Sequence, residues 1–222
     1  MIVAERKPME EILNMIAVFK KILILGCNTC VVVCSAGGPK EVEILASIIR
    51  MARKKKGEPI EIGEMTIERQ CEPEFLESLE GIVDKYDAIL SMACGVGVNF
   101  LADIFSSTIA LPALNTSFMG VTEKQGVWSE RCAGCGNCVL DKTGGLCPIA
   151  RCSKSLFNGP CGGSVNGRCE VSPDIDCVWQ LIYDRLRKLN QLDKLEEILP
   201  IKDWSTAGHG GPRKMVREDL IT

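Results

Sequence analysis

The chain has 222 residues, with 26 Lys and Arg against 29 Asp and Glu and a net charge of −3. That near balance offers no basic surface for nucleic acid, and no window reaches the roughly 18 apolar residues of a membrane span. Apolar residues make up 46% and charged residues 25%, the make-up of a water-soluble chain large enough to bury one or two cores.

The N-terminal part reads as alternating helices and strands. Met1 to Lys7 holds only a short apolar run, too little for a secretory signal. Pro8 opens a helix through Ile12, Leu13, Ile16 and Phe19. Lys21 to Gly26 is a short apolar run and predicts a buried strand that ends at Cys27. A helix from Lys40 to Lys56 follows, with Val42, Leu45, Ile48, Ile49 and Ala52 on one face. Its basic end, Arg53 to Lys56, complements the helix dipole. Pro59 to Cys71 predicts a strand with a turn near Gly63, and Pro73 starts a helix through Leu76, Leu79 and Val83. Ala88 to Ala93 predicts a third strand ended by Cys94, then a short helix, then a strand over Thr108 to Leu114 weakened by Pro112. The alternation predicts an α/β domain with a mostly parallel sheet. Gly95 and Gly97 lack the third glycine of a dinucleotide fingerprint, since Phe100 stands in its place.

Thirteen cysteines are the main chemical signal. The odd count, the missing signal segment and the closeness of the Cys-x2-Cys pairs argue against a disulfide framework. Cys27, Cys71 and Cys94 fall at successive strand ends, which share one edge in a parallel sheet, where ligand sites form. Cys30 and Cys34 follow the first strand and share a helix face. Five thiols exceed the four ligands of one centre, so Cys27 or Cys34 is expected to be spare.

Gly120 to Arg131 reads as a linker to a second, denser block. This block holds Cys132, Cys135, Cys138, Cys147, Cys152, Cys161, Cys169 and Cys177. It opens with Cys132-Ala-Gly-Cys135-Gly-Asn-Cys138, whose small residues let backbone N–H groups turn toward sulfur. Three thiols at two-residue gaps fit a 4Fe–4S cluster better than zinc, which favours two separated pairs. Cys147-Pro148 stands farther off than the Cys-Pro of bacterial ferredoxins. The five later cysteines hold a second set of four, with the fifth completing the triplet. A helix beginning near Cys177 carries Val178, Trp179, Ile182, Leu186 and Leu189, an apolar face expected to pack on the first domain or on a partner. The reading divides the chain into an α/β domain (1–120), a cysteine-rich, ferredoxin-like module with its C-terminal helix (121–200) and a flexible tail (201–222) that carries the single histidine, His209.

Several of these stretches together resemble the small iron–sulfur subunit of two-subunit methylenetetrahydrofolate reductases of acetogenic and related anaerobes. They are Gly26-Cys27-Asn28-Thr29-Cys30, Arg69-Gln70-Cys71-Glu72, Ala93-Cys94-Gly95-Val96-Gly97, the triplet, Asn158 to Gly163 (NGPCGG), and Cys177-Val-Trp179 with Tyr183-Asp-Arg185-Leu186. The resemblance implies a cytoplasmic electron-transfer subunit with 4Fe–4S clusters, at least two and at most three, and no flavin of its own. It implies a TIM-barrel, flavin-containing catalytic partner in the methyl branch of acetyl-CoA synthesis. Ferredoxin or a larger dehydrogenase complex would supply electrons. All thirteen cysteines are candidate metal ligands, and no residue of this chain is expected to be catalytic. The alternative is a zinc-stapled assembly subunit that carries no electrons, with zinc at one site or more.

Overall fold

The computed structural model describes residues 1–221. Its contacts divide the chain into two compact units, 1–128 and 129–222. The first unit is organised by a four-stranded sheet in the order β3-β2-β4-β5. The strands are β2 (Lys21–Cys27), β3 (Glu61–Ile67), β4 (Ala88–Met92) and β5 (Ile109–Pro112), and every pairing is parallel. The two central strands are near-continuous apolar runs, as a sheet covered on both faces requires. Alternation along β2 sends Ile22 and Ile24 to one face and Leu23 and Leu25 to the other. The first pair packs with Ile12 and Ile16 and with Val42, Leu45 and Ile49 of α3 (Pro39–Lys55). The second packs with Leu76, Leu79, Val83 and Leu101. The sheet class expected from sequence is therefore the observed one.

Local departures have local causes. Met1 to Lys7 contains a strand, β1 (Ile2–Arg6), which pairs antiparallel with β6 (Leu114–Lys124). Helix α1 covers only Met9–Met15. Gly63 lies inside β3 and makes no turn; glycine stands there because a side chain at that position would meet the Tyr86 ring. The helix expected from Pro73 stops after one turn, α4 (Pro73–Leu76), and two 3₁₀ turns follow on either side of Gly81, whose φ is +65°. Pro112 is accommodated because β5 is an edge strand.

The linker expected over Gly120 to Arg131 is instead strand: the end of β6, a turn at Gln125-Gly126, and β7 (Val127–Cys132). Gly126, with φ +81°, supplies the left-handed turn position of the hairpin. The sheet order is β1-β6-β7, and the boundary between the units falls within β7. Trp128 packs on the first unit's core, and its indole N–H is buried without a hydrogen-bond partner.

Beyond the end of β7, the second unit has little regular structure among the described residues: α6 (Pro148–Arg151), α7 (Val178–Lys188), three short 3₁₀ turns after it and two isolated bridges at Val165–Arg168 and Arg168–Asp176. The apolar face of α7 does not need another domain to cover it. Val178, Trp179, Ile182 and Leu186 form a small core with Leu146, Cys152 and Cys177 of their own unit. Likeness to a ferredoxin rests on the spacing of the triplet alone.

Candidate functional site

In the parallel sheet the chain leaves β2 toward β3 on one side and later returns to β4 on the other. That reversal is a topological switch point, and the C-terminal ends of the strands flanking it are where such sheets bind ligands. Cys27 is the last residue of β2, level with Ile67 at the end of β3. Cys94 follows β4 and precedes α5 (Gly95–Ile104), and Cys71 lies in the loop after β3. Cys30 is the first residue of the single turn α2 (Cys30–Val33). The Cys27 sulfur lies 3.7 Å from the Thr29 hydroxyl and 3.8 Å from the Glu68 carbonyl oxygen. The surrounding packing pushes the Cys71 thiol above its ordinary pKa, chiefly by desolvation even though the residue reaches solvent, and then by repulsion from Cys27 and Cys94. The loop after β3 thus brings the Cys71 thiol within electrostatic reach of Cys27 and Cys94.

Cys34 is turned elsewhere. It is buried, accepts from the Ala4 N–H at 3.5 Å and donates to the Ala4 and Val31 carbonyls at 3.4 and 3.5 Å. Burial pushes its thiol pKa up, against the lowering effect of the Ala4 backbone contact. Cys27, the other candidate for the spare thiol, is as buried as Cys34, but its sulfur contacts are to Thr29 and the Glu68 carbonyl beyond the strand ends. Cys27, Cys71 and Cys94 lie at or just past strand ends, and Cys30 opens α2.

What holds that edge together is a residue that sequence reasoning quoted in a motif but gave no role. Gln70 is fully buried. Its amide donates to the carbonyls of Leu25 at 2.9 Å and Gly26 at 3.0 Å, and accepts from the Ser91 hydroxyl at 2.6 Å. The Ser91 oxygen in turn accepts from the Ala93 N–H at 3.3 Å. One side chain therefore ties the ends of β2 and β4 to the loop that carries Cys71. Gly37 completes the edge: its carbonyl accepts from the Cys27 N–H at 2.9 Å, and a Cβ there would lie 2.0 Å from the Met92 oxygen. Only a glycine lets this loop cross the end of β4 so closely.

In the second unit, Gly134 and Gly136 take φ of +62° and +77° between the thiols of the triplet. The Gly134 N–H points at the Cys132 sulfur, 3.3 Å away. The tail expected from residue 201 is hydrogen-bonded across this loop. Lys202 donates to the Asn137 carbonyl at 2.5 Å, Thr206 to that of Cys135 at 2.9 Å and Arg213 to that of Gly134 at 2.8 Å. His209 lies on the same segment, edge-on to Trp204. Cys147 accepts from the Ala150 N–H at 3.4 Å and so caps α6. The remaining four cysteines, Cys152, Cys161, Cys169 and Cys177, line one small cavity of about 20 Å³. A hydrogen bond from Ser153 and neighbouring backbone N–H groups hold the Cys169 thiol below its ordinary pKa. A larger cavity of about 410 Å³ in this unit is lined by Phe157, Trp179 and Tyr183. The Asn158 amide on its wall is already paired with the backbone of Leu199.

All thirteen cysteines are free thiols. Among the described residues, no three Cys, His, Asp or Glu side chains are gathered as ligands of a single metal ion. The donor chemistry nevertheless fits thiolate-ligated iron–sulfur clusters or zinc: the groups are sulfur only, set in glycine turns with N–H groups facing sulfur.

Residues 111–205 match the family model described as "Methylene-tetrahydrofolate reductase C terminal". This segment, under half of the chain, is thus similar to a domain of methylenetetrahydrofolate reductases. It takes in the triplet, NGPCGG and all of α7, and leaves the strand-end cysteines outside. No curated protein and no solved structure matches the chain.

Proposed function

We propose that the chain is the iron–sulfur electron-transfer subunit of a methylenetetrahydrofolate reductase. It would pass electrons to a flavin-containing partner that reduces 5,10-methylenetetrahydrofolate to 5-methyltetrahydrofolate. What supports this reading is the position of Cys27, Cys71 and Cys94 at or just past the ends of three parallel strands, with Cys30 opening α2 after β2, in a chain whose residues 111–205 are similar to a reductase domain. Those four thiols would hold one 4Fe–4S cluster, and Cys132, Cys135 and Cys138 with Cys147 a second. Such clusters exchange single electrons, which a flavin can pair for transfer as a hydride equivalent. The protein's part is to shield them and to direct N–H groups at sulfur, which sets the potential. Acid–base work on the pterin falls to the partner, since the only histidine lies by Trp204 and neither cysteine group contains one. The electron donor would be ferredoxin or a larger dehydrogenase complex. Among the described residues no helix is long and apolar enough to cross a membrane. Free thiols suit a reducing cytoplasm.

Anaerobic purification of the full chain, with iron, sulfide and zinc analysis, tests this. About eight irons and as many sulfides per chain are expected, with brown absorbance bleached by dithionite. A colourless protein with fewer than about four irons would instead support a zinc scaffold without electron transfer. Co-expression with a flavin-containing reductase subunit should yield a stable complex, and a monomer throughout would count against the subunit role.

A further inference from the structure

We propose that Lys202 is the counter-ion of the Cys132–Cys135–Cys138 loop: the C-terminal segment straps across that loop and sets a buried ammonium beside its thiolates. This rests on the reading that the three thiols ligate a metal centre, whether of iron or of zinc. Three observations carry it.

The first is a buried charge with few partners. Arg53 and Lys202 are the charged residues buried among the described residues. Arg53 donates to four carbonyls and lies 3.8 Å from the Glu58 carboxylate. Lys202 is 6% exposed, and among the described residues its ammonium donates to one acceptor, the Asn137 carbonyl at 2.5 Å. It also lies 5.5 Å from the centre of the Trp204 ring. The neighbouring Asp203 carboxylate is engaged elsewhere, accepting from the Ser205 N–H at 2.8 Å and hydroxyl at 2.5 Å. Ser205 is the main cause of its lowered pKa, with Lys202 a minor one. Lysines this deeply buried are paired as a rule, because an ammonium taken out of water without an anion is costly.

The second is where that charge sits. Asn137 lies between Cys135 and Cys138, and the carbonyl that Lys202 meets is the one to which the Cys135 S–H donates at 3.6 Å. Ammonium and sulfur therefore converge on one oxygen. Once Cys135 is a thiolate ligand it has no proton for that oxygen, and the ammonium is the opposite charge beside it. Thiolates outweigh the charge of the metal in a four-thiolate centre. A cation fixed beside them in low-dielectric surroundings offsets that excess better than a solvated one does.

The third is the fit of the strap that positions Lys202. The Thr206 hydroxyl donates to the Cys135 carbonyl at 2.9 Å. Arg213 donates to the carbonyls of Gly134 at 2.8 Å and Thr206 at 2.7 Å. Ala207 is buried, and a Cβ on Gly136 would lie 2.3 Å from the Thr206 oxygen, so strap and loop meet backbone to backbone. Lys202 is thus a positioning residue: it touches the loop, and acts on the centre through it.

The test uses the full chain purified without oxygen. Metal release to excess chelator is timed, and alkylation of each cysteine is followed by mass spectrometry. Lys202→Met, which keeps the length of the side chain and loses its charge, should release the triplet's metal about 10- to 100-fold faster than wild type. Cys132, Cys135 and Cys138 should become alkylated at that faster rate, while Cys152, Cys161, Cys169 and Cys177 react as in wild type. Lys202→Arg should restore slow release, because it restores the charge. Lys202→Gln, also uncharged, replaces Lys202→Met if that variant does not fold. Release at the wild-type rate from the uncharged variant, equally fast release from Lys202→Arg, or faster alkylation of all eight cysteines together would each overturn the proposal. The released metal is identified in the same samples. Zinc without iron sinks the electron-transfer reading only, and iron released at an unchanged rate sinks this proposal only. A wild type with no metal at the three thiols sinks both.

Discussion

Two residues show how much a single buried polar side chain can organise. Arg53 looks in sequence like one of four equivalent cations, yet it is buried while Lys54 to Lys56 are exposed. Its guanidinium donates to the carbonyls of Glu58, Ile16, Ala17 and Phe19, so it closes the loop after α1 and does more than balance a helix dipole. Gln70 does the same for the cysteine edge. Replacing it with leucine leaves the Leu25 and Gly26 carbonyls and the Ser91 hydroxyl buried without their partner, at a cost of about 1–3 kcal/mol for each group left unsatisfied. Gln70→Leu should therefore melt several degrees below wild type and bind iron at the sheet edge less firmly. Thermal unfolding and iron content per chain check this, and an unchanged melting temperature with full iron would rule out the clamp. Neither role could be read from local sequence, because all the partners except Glu58 lie in other strands and loops, tens of residues away.

Periodicity located the main secondary-structure elements of the first unit. Strands β2 and β4 and helix α3 are long or uniform enough for apolar spacing to reveal them, and they lie where that spacing puts them, to within a residue or two. The misread stretches are those where tertiary contacts override local preference. Gly63 looks like a turn but makes room for Tyr86, and β1 is a short run that becomes a strand only by pairing with β6. The start of β2 is held in the same way. The Asp87 carboxylate, just before β4, accepts from the backbone N–H groups of Lys20 at 2.9 Å and Lys21 at 2.8 Å. Those two N–H groups are the main reason its pKa is lowered. A carboxylate depressed on folding adds stability that is complete above the unfolded value of about 3.9 and is lost as pH falls through the folded value. Asp87→Ala should thus lower the melting temperature at neutral pH, and the gap should close as pH drops below about 4. A gap that stays constant into strong acid would show that the ionised form is not what grips β2.

At the scale of the whole molecule, the two units rest on different physics. The first has two apolar clusters packed on opposite faces of its parallel sheet. The second has one small cluster around α7, together with eight of the thirteen cysteines. Removing metal with a chelator should open the second unit to protease and leave a resistant fragment of about the first 128 residues. Mass spectrometry of the digest reads this directly, and equal loss of both halves would contradict it. Sequence by itself determined the kind of chemistry available here: thirteen thiols, a single histidine in the C-terminal stretch and a ferredoxin-like triplet, because donor types and short spacings are local properties. It also determined that strands and helices alternate, because that too is written in local apolar spacing. Only the tertiary structure decided which thiols meet. Strand order and the long-range hydrogen bonds of Gln70 put Cys27, Cys71 and Cys94 on one edge and turn Cys34 into the core. Loops with no periodicity bring Cys152, Cys161, Cys169 and Cys177 around one cavity, because contacts between distant segments are set by packing and leave no mark in the local pattern.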